Sequence, residues 1–222
     1  MKKIFIYAEG PTEERFIKTL LVPHLEGYGI FVYPIVCTTK VVKSGQNFKG
    51  GTVKYHKAKK EICNLLRDSS AAAVTTMLDY YGLHCSFPGR TDPEGTTCYD
   101  RVRFVEGAIR GDIGPQKFIP FLTLHEFEGL LFSSPEEMAA ALPGGYGLRQ
   151  KFEQIRGNFN TPEDINDQQS TSPGQRIATA YPPYQKPAHG SRIAGRIGLA
   201  KIREECPHFD SWVVTLEQLS RE

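Results

Sequence analysis

Two glutamates stand four residues apart near the start of this 222-residue chain, in Tyr7-Ala8-Glu9-Gly10-Pro11-Thr12-Glu13. The apolar run Ile4-Phe5-Ile6 leads into Glu9, a Gly-Pro turn comes next, and Pro11 suits the first helical position, where its missing N–H costs nothing. Glu9 then falls at the carboxyl end of a strand, where open α/β sheets place their ligands. Glu13, one helical turn on, can point back at the same crevice. A third acid, Asp79, closes the apolar run at 71–78. Mg²⁺ and Mn²⁺ take hard oxygen ligands, usually one or two carboxylates with water and substrate phosphate. Glu9, Glu13 and Asp79 therefore form a candidate divalent-metal site. Dipole compensation in a first helical turn is the alternative role for Glu13, and capping of a turn is the alternative for Asp79. A carboxylate directly after a buried strand needs a specific partner, so Glu9 has no such simple alternative.

A second group of acids lies in His125-Glu126-Phe127-Glu128-Gly129-Leu130-Leu131-Phe132. On a helix Glu126 and Glu128 diverge by roughly 200°, so only one of them, with Glu126 favoured, is expected at a shared site. The spacing is not that of a zinc protease, and neither a Walker A motif nor G-x-G-x-x-G nor G-x-S-x-G occurs. His84, Cys85 and Cys98 match no common zinc spacing and lack a fourth ligand. Lys186 and Arg192, in the late stretch from Tyr184 to Arg192, are cations that could neutralise charge on a phosphate.

The elements that must position these groups are set by periodicity. Residues 3–8 read as a strand, 11–25 as an amphipathic helix, 30–36 as a second strand and 52–67 as a second helix. The continuous apolar run at 71–78 has the character of a central strand buried on both faces. A Gly- and Pro-rich loop spans 80–97, a helix covers 99–110, and 117–122 is a fourth strand. Strand, helix and strand in alternation predict a parallel α/β sheet with right-handed crossovers. Pro34 and Pro120 mark the second and fourth strands as edges, which yields the order 2-1-3-4 and sets Glu9 beside Asp79. Residues 1–134 are expected to form this α/β core. Residues 135–222 are expected to form a helical and loop extension packed on it, with a polar loop or lid at 157–175 and short helices near 191–203 and 209–219.

Composition is that of an ordinary globular protein, with 40% hydrophobic and 23% charged residues. No run approaches the length of a membrane span, and the first apolar stretch is too short for a signal sequence. Five cysteines without a CxxC pair fit reduced thiols, so a cytoplasmic location without membrane association is expected. The net charge of +2 conceals an asymmetry, since 27–60 contains no acid but carries Lys40, Lys43, Lys49, Lys54, Lys57, Lys59 and Lys60. This stretch reads either as a basic arm that holds a nucleic acid backbone or as the solvated lysine face of a helix.

The stretches around Glu9 and Asp79 resemble the first two motifs of TOPRIM domains. With Leu124-His125-Glu126-Phe127-Glu128-Gly129-Leu130-Leu131-Phe132, Glu163-Asp164-Ile165-Asn166, Ile197-Gly198-Leu199 and Ile202-Arg203-Glu204-Glu205-Cys206-Pro207-His208-Phe209, the chain resembles domain-of-unknown-function family 4276 over nearly its whole length. That bacterial family is regarded as TOPRIM-like. The resemblance implies a Rossmannoid TOPRIM-like fold in which Glu9 and Asp79 are the core of a Mg²⁺ site for phosphoryl transfer. The Glu-Gly-x-x-Glu spacing is most like OLD-type nucleases, which adds Glu13. TOPRIM domains usually carry Asp-x-Asp after the third strand, whereas here the second position is Tyr81, so Glu126 or Glu128 would have to supply the missing ligand. Relatives encoded beside ATPases of phage-defence systems imply an ATPase partner.

The expected activity is thus a Mg²⁺- or Mn²⁺-dependent nuclease acting on nucleic acid phosphodiesters, with Glu9, Asp79, Glu126 and Lys186 in catalysis. The alternative is a non-catalytic TOPRIM-like module that binds nucleic acid or a partner protein. A phosphoacceptor domain built on Asp79 is a weaker third reading.

Overall fold

The computed structural model describes residues 2–40, 48–49, 53–114, 116–143, 145–165 and 171–221. Strand β1 (Lys2–Ala8) is the spine of the sheet. It runs parallel to β2 (Ile30–Val36) on one side and to β5 (Ala71–Asp79) on the other, with Ala8 opposite both Val36 and Met77. Short β3 (Thr38–Lys40) and β4 (Phe48–Lys49) pair antiparallel in a separate ladder. Beyond β5 lie β6 (Phe118–Ile119) and β7 (Leu122–Thr123), both parallel to it. The parallel order is therefore 2-1-3-4, with the expected fourth strand divided in two. Pro120 has no N–H to give to a ladder, and the division falls there. The Thr76 hydroxyl bridges the gap, donating to the Phe121 carbonyl and accepting from the Phe121 amide, each at 2.8 Å.

Period-two alternation along β1 feeds two cores. Ile4, Ile6 and Ala8 face one side with Ala73 and Met77 of β5, while Phe5 and Tyr7 face the other with Val74 and Leu78. Helices α3 (Tyr55–Leu66) and α4 (Cys98–Ile113) cover the second face through Ala58, Ile62, Val102, Val105 and Ile109. The first face takes everything else. After β1 come α1 (Pro11–Phe16), a π-helical turn at Ile17–Leu21 and α2 (Val22–Glu26). The helix expected over 11–25 is thus interrupted, because Pro23 cannot donate to the carbonyl four residues back and its ring crowds that turn.

Helix α5 (Glu128–Leu131) closes the first part, and the extension supplies α6 (Pro135–Ala140), α7 (Gly145–Arg156), α8 (Pro173–Ala180), α9 (Ser191–Ile197), α10 (Leu199–Glu205) and α11 (Pro207–Gln218). Gly198, at φ 79°, separates α9 from α10 inside the helix expected over 191–203. Part of the polar loop expected at 157–175 is ordered as a 3-10 turn at Pro162–Asp164 and the start of α8. Trp212 of α11 stacks on Phe121 with ring centroids 4.2 Å apart and donates its indole N–H to Thr75 at 2.8 Å. Extension and sheet thus share one apolar core.

Candidate active site

Four chain segments meet at the carboxyl end of β1 and β5. The ladder runs on to Glu9, whose amide donates to the Met77 carbonyl at 3.1 Å. Gly10 is extended, Pro11 opens α1, and the first helical turn carries Glu13 inward, where it is buried. Asp79 ends β5, and its amide donates to Glu9 Oε2 at 2.8 Å. The Asp79 carboxylate is held at Oδ1 by the Thr123 hydroxyl, at 2.7 Å, and the Phe127 amide, at 2.8 Å. Its second oxygen, Oδ2, accepts from Lys186 Nζ at 2.9 Å.

His125 sets the course of the chain beyond β7. Its φ of 62° lies in the left-handed region that non-glycine residues rarely adopt, and it turns the chain back over Asp79. Glu128, at the head of α5, is thereby buried, with Oε2 at 3.0 Å from Lys186 Nζ and Oε1 accepting from the Tyr184 hydroxyl at 3.3 Å. Glu126 lies before the helix, so the divergence expected for a continuous helix does not apply. Its Oε2 accepts from the Gly174 amide at 2.9 Å, and a Cβ on Gly174 would stand 3.0 Å from that oxygen and 3.7 Å from Glu128 Oε1. Glu126 therefore flanks the cluster, while Glu128 enters it.

The centre of the cluster is an ammonium group. Lys186 Nζ lies 2.9 Å from Asp79, 3.0 Å from Glu128 and 3.4 Å from Glu13 Oε1, and 5.8 Å above the centre of the Phe127 ring. Burial opposes its charge, but Asp79, Glu128 and Glu13 outweigh burial and hold its pKa well above the usual lysine value. The acids are shifted upward as well, which for them favours the neutral form. Burial first, then the charge of Asp79, pushes Glu9 up to about 8. Burial raises Glu128 to about 7 against the pull of Lys186, and raises Glu13 in the same direction. Among the described residues, Glu13 Oε1 and Glu128 Oε2 are buried with the Lys186 ammonium as their ion-pair partner and no well-aligned hydrogen bond.

The donor set suits a hard divalent cation, being carboxylate oxygen throughout. Three carboxylates within reach of one ammonium, with Glu9 beside them, are more acid than that one cation balances when all are ionised. Among the described residues, however, no three acid, imidazole or thiol groups are already arranged as a metal cage. Glu13, Asp79 and Glu128 instead face Lys186.

The other sequence-derived candidates lie elsewhere. Tyr81 is half-buried and its amide donates to the His125 carbonyl at 2.8 Å. Arg192 is exposed on α9. Lys54 and Lys57 flank and open α3, Lys40 and Lys49 belong to the β3–β4 ladder, and Lys43 lies outside the described residues. Cys98 approaches Asp164 Oδ1 at 3.7 Å, and burial pushes its thiol up to about 11. No two cysteines are joined by a disulfide. Thr123, Tyr184 and Gly174 escape a sequence reading, because a hydroxyl or a glycine far along the chain carries no periodic signal.

A cleft of about 430 Å³ opens beside His125, lined by Thr97, Cys98, Arg101, Phe159 and Asp164. A groove of about 460 Å³ between α7 and α8, with Lys151, Asn158 and Arg176 along it, does not include the carboxylates.

Fold and site together define an α/β domain with an acid–lysine cluster at the carboxyl end of a parallel sheet. Residues 8–217 match the family described as Domain of unknown function (DUF4276), and the chain belongs to that family. No curated protein and no solved structure matches it. Among the described residues no helix is long and apolar enough to cross a membrane.

Proposed function

We propose that this chain is a Mg²⁺- or Mn²⁺-dependent phosphoryl-transfer enzyme, a nuclease acting on nucleic acid phosphodiesters. The observation that carries the reading is the placement of Glu9 beside Asp79 at the carboxyl end of the sheet, where open α/β sheets bind ligands, with Glu13 and Glu128 close by on the Lys186 ammonium. The likeness of the Glu9 and Asp79 stretches to TOPRIM motifs supports the same reading. A bound divalent ion would supply positive charge against the phosphate in an in-line displacement.

The chain's own residues do the rest. Glu9 and Asp79 would hold the ion, and Thr123 and the Phe127 amide fix the Asp79 carboxylate. Lys186 brings a fixed positive charge to the same point, and Glu126 borders the approach from α8. Lys40, Lys43, Lys49, Lys54 and Lys57 hold the nucleic acid backbone. The protein would act in the cytoplasm, in phage defence with an ATPase partner.

A second reading has its own observation. An ammonium already neutralises part of the cluster, and Tyr81 stands where a second aspartate is expected. Both favour a non-catalytic module that binds nucleic acid or a partner. Purified protein is to be incubated with plasmid, single-stranded DNA and RNA, with Mg²⁺ or Mn²⁺, beside Glu9→Ala and Asp79→Ala. Metal-dependent cleavage that disappears in both variants is the expected result. Equal cleavage by the variants sinks the site assignment, and no cleavage of any substrate, with or without an ATPase partner, supports the module.

A further inference from the structure

The four clustered acids do not stand in equivalent surroundings. Glu13 and Glu128 are buried, and their inward oxygens, Glu13 Oε1 and Glu128 Oε2, have no neighbour within ion-pair reach but Lys186 Nζ among the described bases. Glu9 is only partly covered. Its Oε1 faces Gly82, which is exposed, and even a methyl group there would come no closer than 3.5 Å. A hydrated divalent ion needs room for its retained waters. The Glu9 side of the cluster reaches the surface at exposed Gly82, whereas Glu13 and Glu128 are enclosed.

Lys186 is also held from both directions along the chain. Two residues before it, Tyr184 donates to Glu128 Oε1. After it, the Pro187 carbonyl accepts from Arg15 of α1 at 3.3 Å. Gly190 presses so closely on Thr12 and Phe127 that a Cβ there would lie 3.2 and 3.3 Å from them. Withdrawing the ammonium would leave two buried carboxylates uncompensated, a strongly unfavourable state.

Resting on the proposed metal site, we infer that it takes one divalent cation, on Glu9 and Asp79. The Lys186 ammonium is its built-in second cation, held by Glu13 and Glu128. Asp79 belongs to both, since Oδ1 is occupied by Thr123 and Phe127 while Oδ2 meets the lysine and the Asp79 amide joins Glu9. Tyr81 fits the same assignment, because a site with one divalent ion has no use for the acid it replaces. Glu13 and Glu128 are then positioning residues for Lys186 rather than metal ligands.

Two measurements on the unaltered chain test this. Mn²⁺ binding, measured by electron paramagnetic resonance, is expected to saturate at one ion per chain and to vanish in Glu9→Gln. Acylation of Lys186, read by mass spectrometry, is expected to be at least about tenfold slower than that of exposed Lys54, with and without saturating Mn²⁺, because its ammonium is held between Glu13, Asp79 and Glu128. Two Mn²⁺ per chain, or a Lys186 as reactive as Lys54 once Mn²⁺ is bound, overturns the inference and leaves the metal reading standing. Absence of Mn²⁺ binding at millimolar concentration removes both.

Discussion

The Glu163 carboxylate accepts the backbone N–H groups of His208, at 2.9 Å, and Phe209, at 3.0 Å, in the first turn of α11. It is a buried helix cap, supplied from a segment far away in the chain. Glu163→Ala strands two buried donors and is expected to cost roughly 3 kcal/mol, read from urea unfolding, with Glu163→Gln costing less. His208 adds a pH dependence, with its Nε2 at 3.0 Å from Glu106 Oε1. Burial works against the imidazolium, and Arg103 opposes it too, but Glu106 and Glu163 prevail and the pKa rises above 6.5. The folded chain then binds this proton more tightly than the unfolded one. The stabilisation is full below the unfolded-state value and fades as pH rises through the higher folded-state value. Unfolding midpoints between about pH 6 and 8 should fall more steeply in the parent than in His208→Gln, and equal slopes would refute the pairing. Glu9 and Asp79 are legible in sequence because each ends an apolar strand and the edge prolines make those strands neighbours. Lys186 meets Asp79 across 107 residues, which no local pattern encodes. The prominence of Glu128 over Glu126 hangs on the left-handed His125.

Helix α4 begins with a reciprocal capping box, in which Thr97 Oγ1 accepts from the Asp100 amide and the Asp100 carboxylate accepts from the Thr97 amide. Thr97→Ala should cost about 1 kcal/mol in chemical denaturation and shift no other element. Gly190→Val tests how the segment carrying Lys186 is held. Its side chain must displace Thr12 or Phe127, so a loss of about 1–3 kcal/mol is expected, together with faster acylation of Lys186. An unchanged acylation rate would show that the lysine is fixed by its ion pairs alone. Periodicity exposes the strands and long helices, since these bury one face or both. It passes over the π turn at Ile17–Leu21 and the divided fourth strand, where a single proline overrides an otherwise regular apolar pattern.

For the molecule as a whole, the extension beyond 134 packs into the apolar core of the part before it. Ile4, Ile6, Phe121 and Phe132 from the first part share a core with Phe152, Phe209, Trp212 and Leu216 from the second. A fragment ending at 134 would expose that entire face to water, so it is expected to show no cooperative thermal transition, whereas the full chain should unfold in a single one. A sharp melt from the fragment would restore the boundary as a true domain limit. The two edge prolines have a separate outcome for behaviour in solution. Pro34 lies in the outer strand on one margin, and Pro120 breaks the other margin. Neither border presents an unbroken row of backbone donors and acceptors on which the strand of another copy could align, so the sheet is protected from growing by edge-to-edge addition when the protein is concentrated.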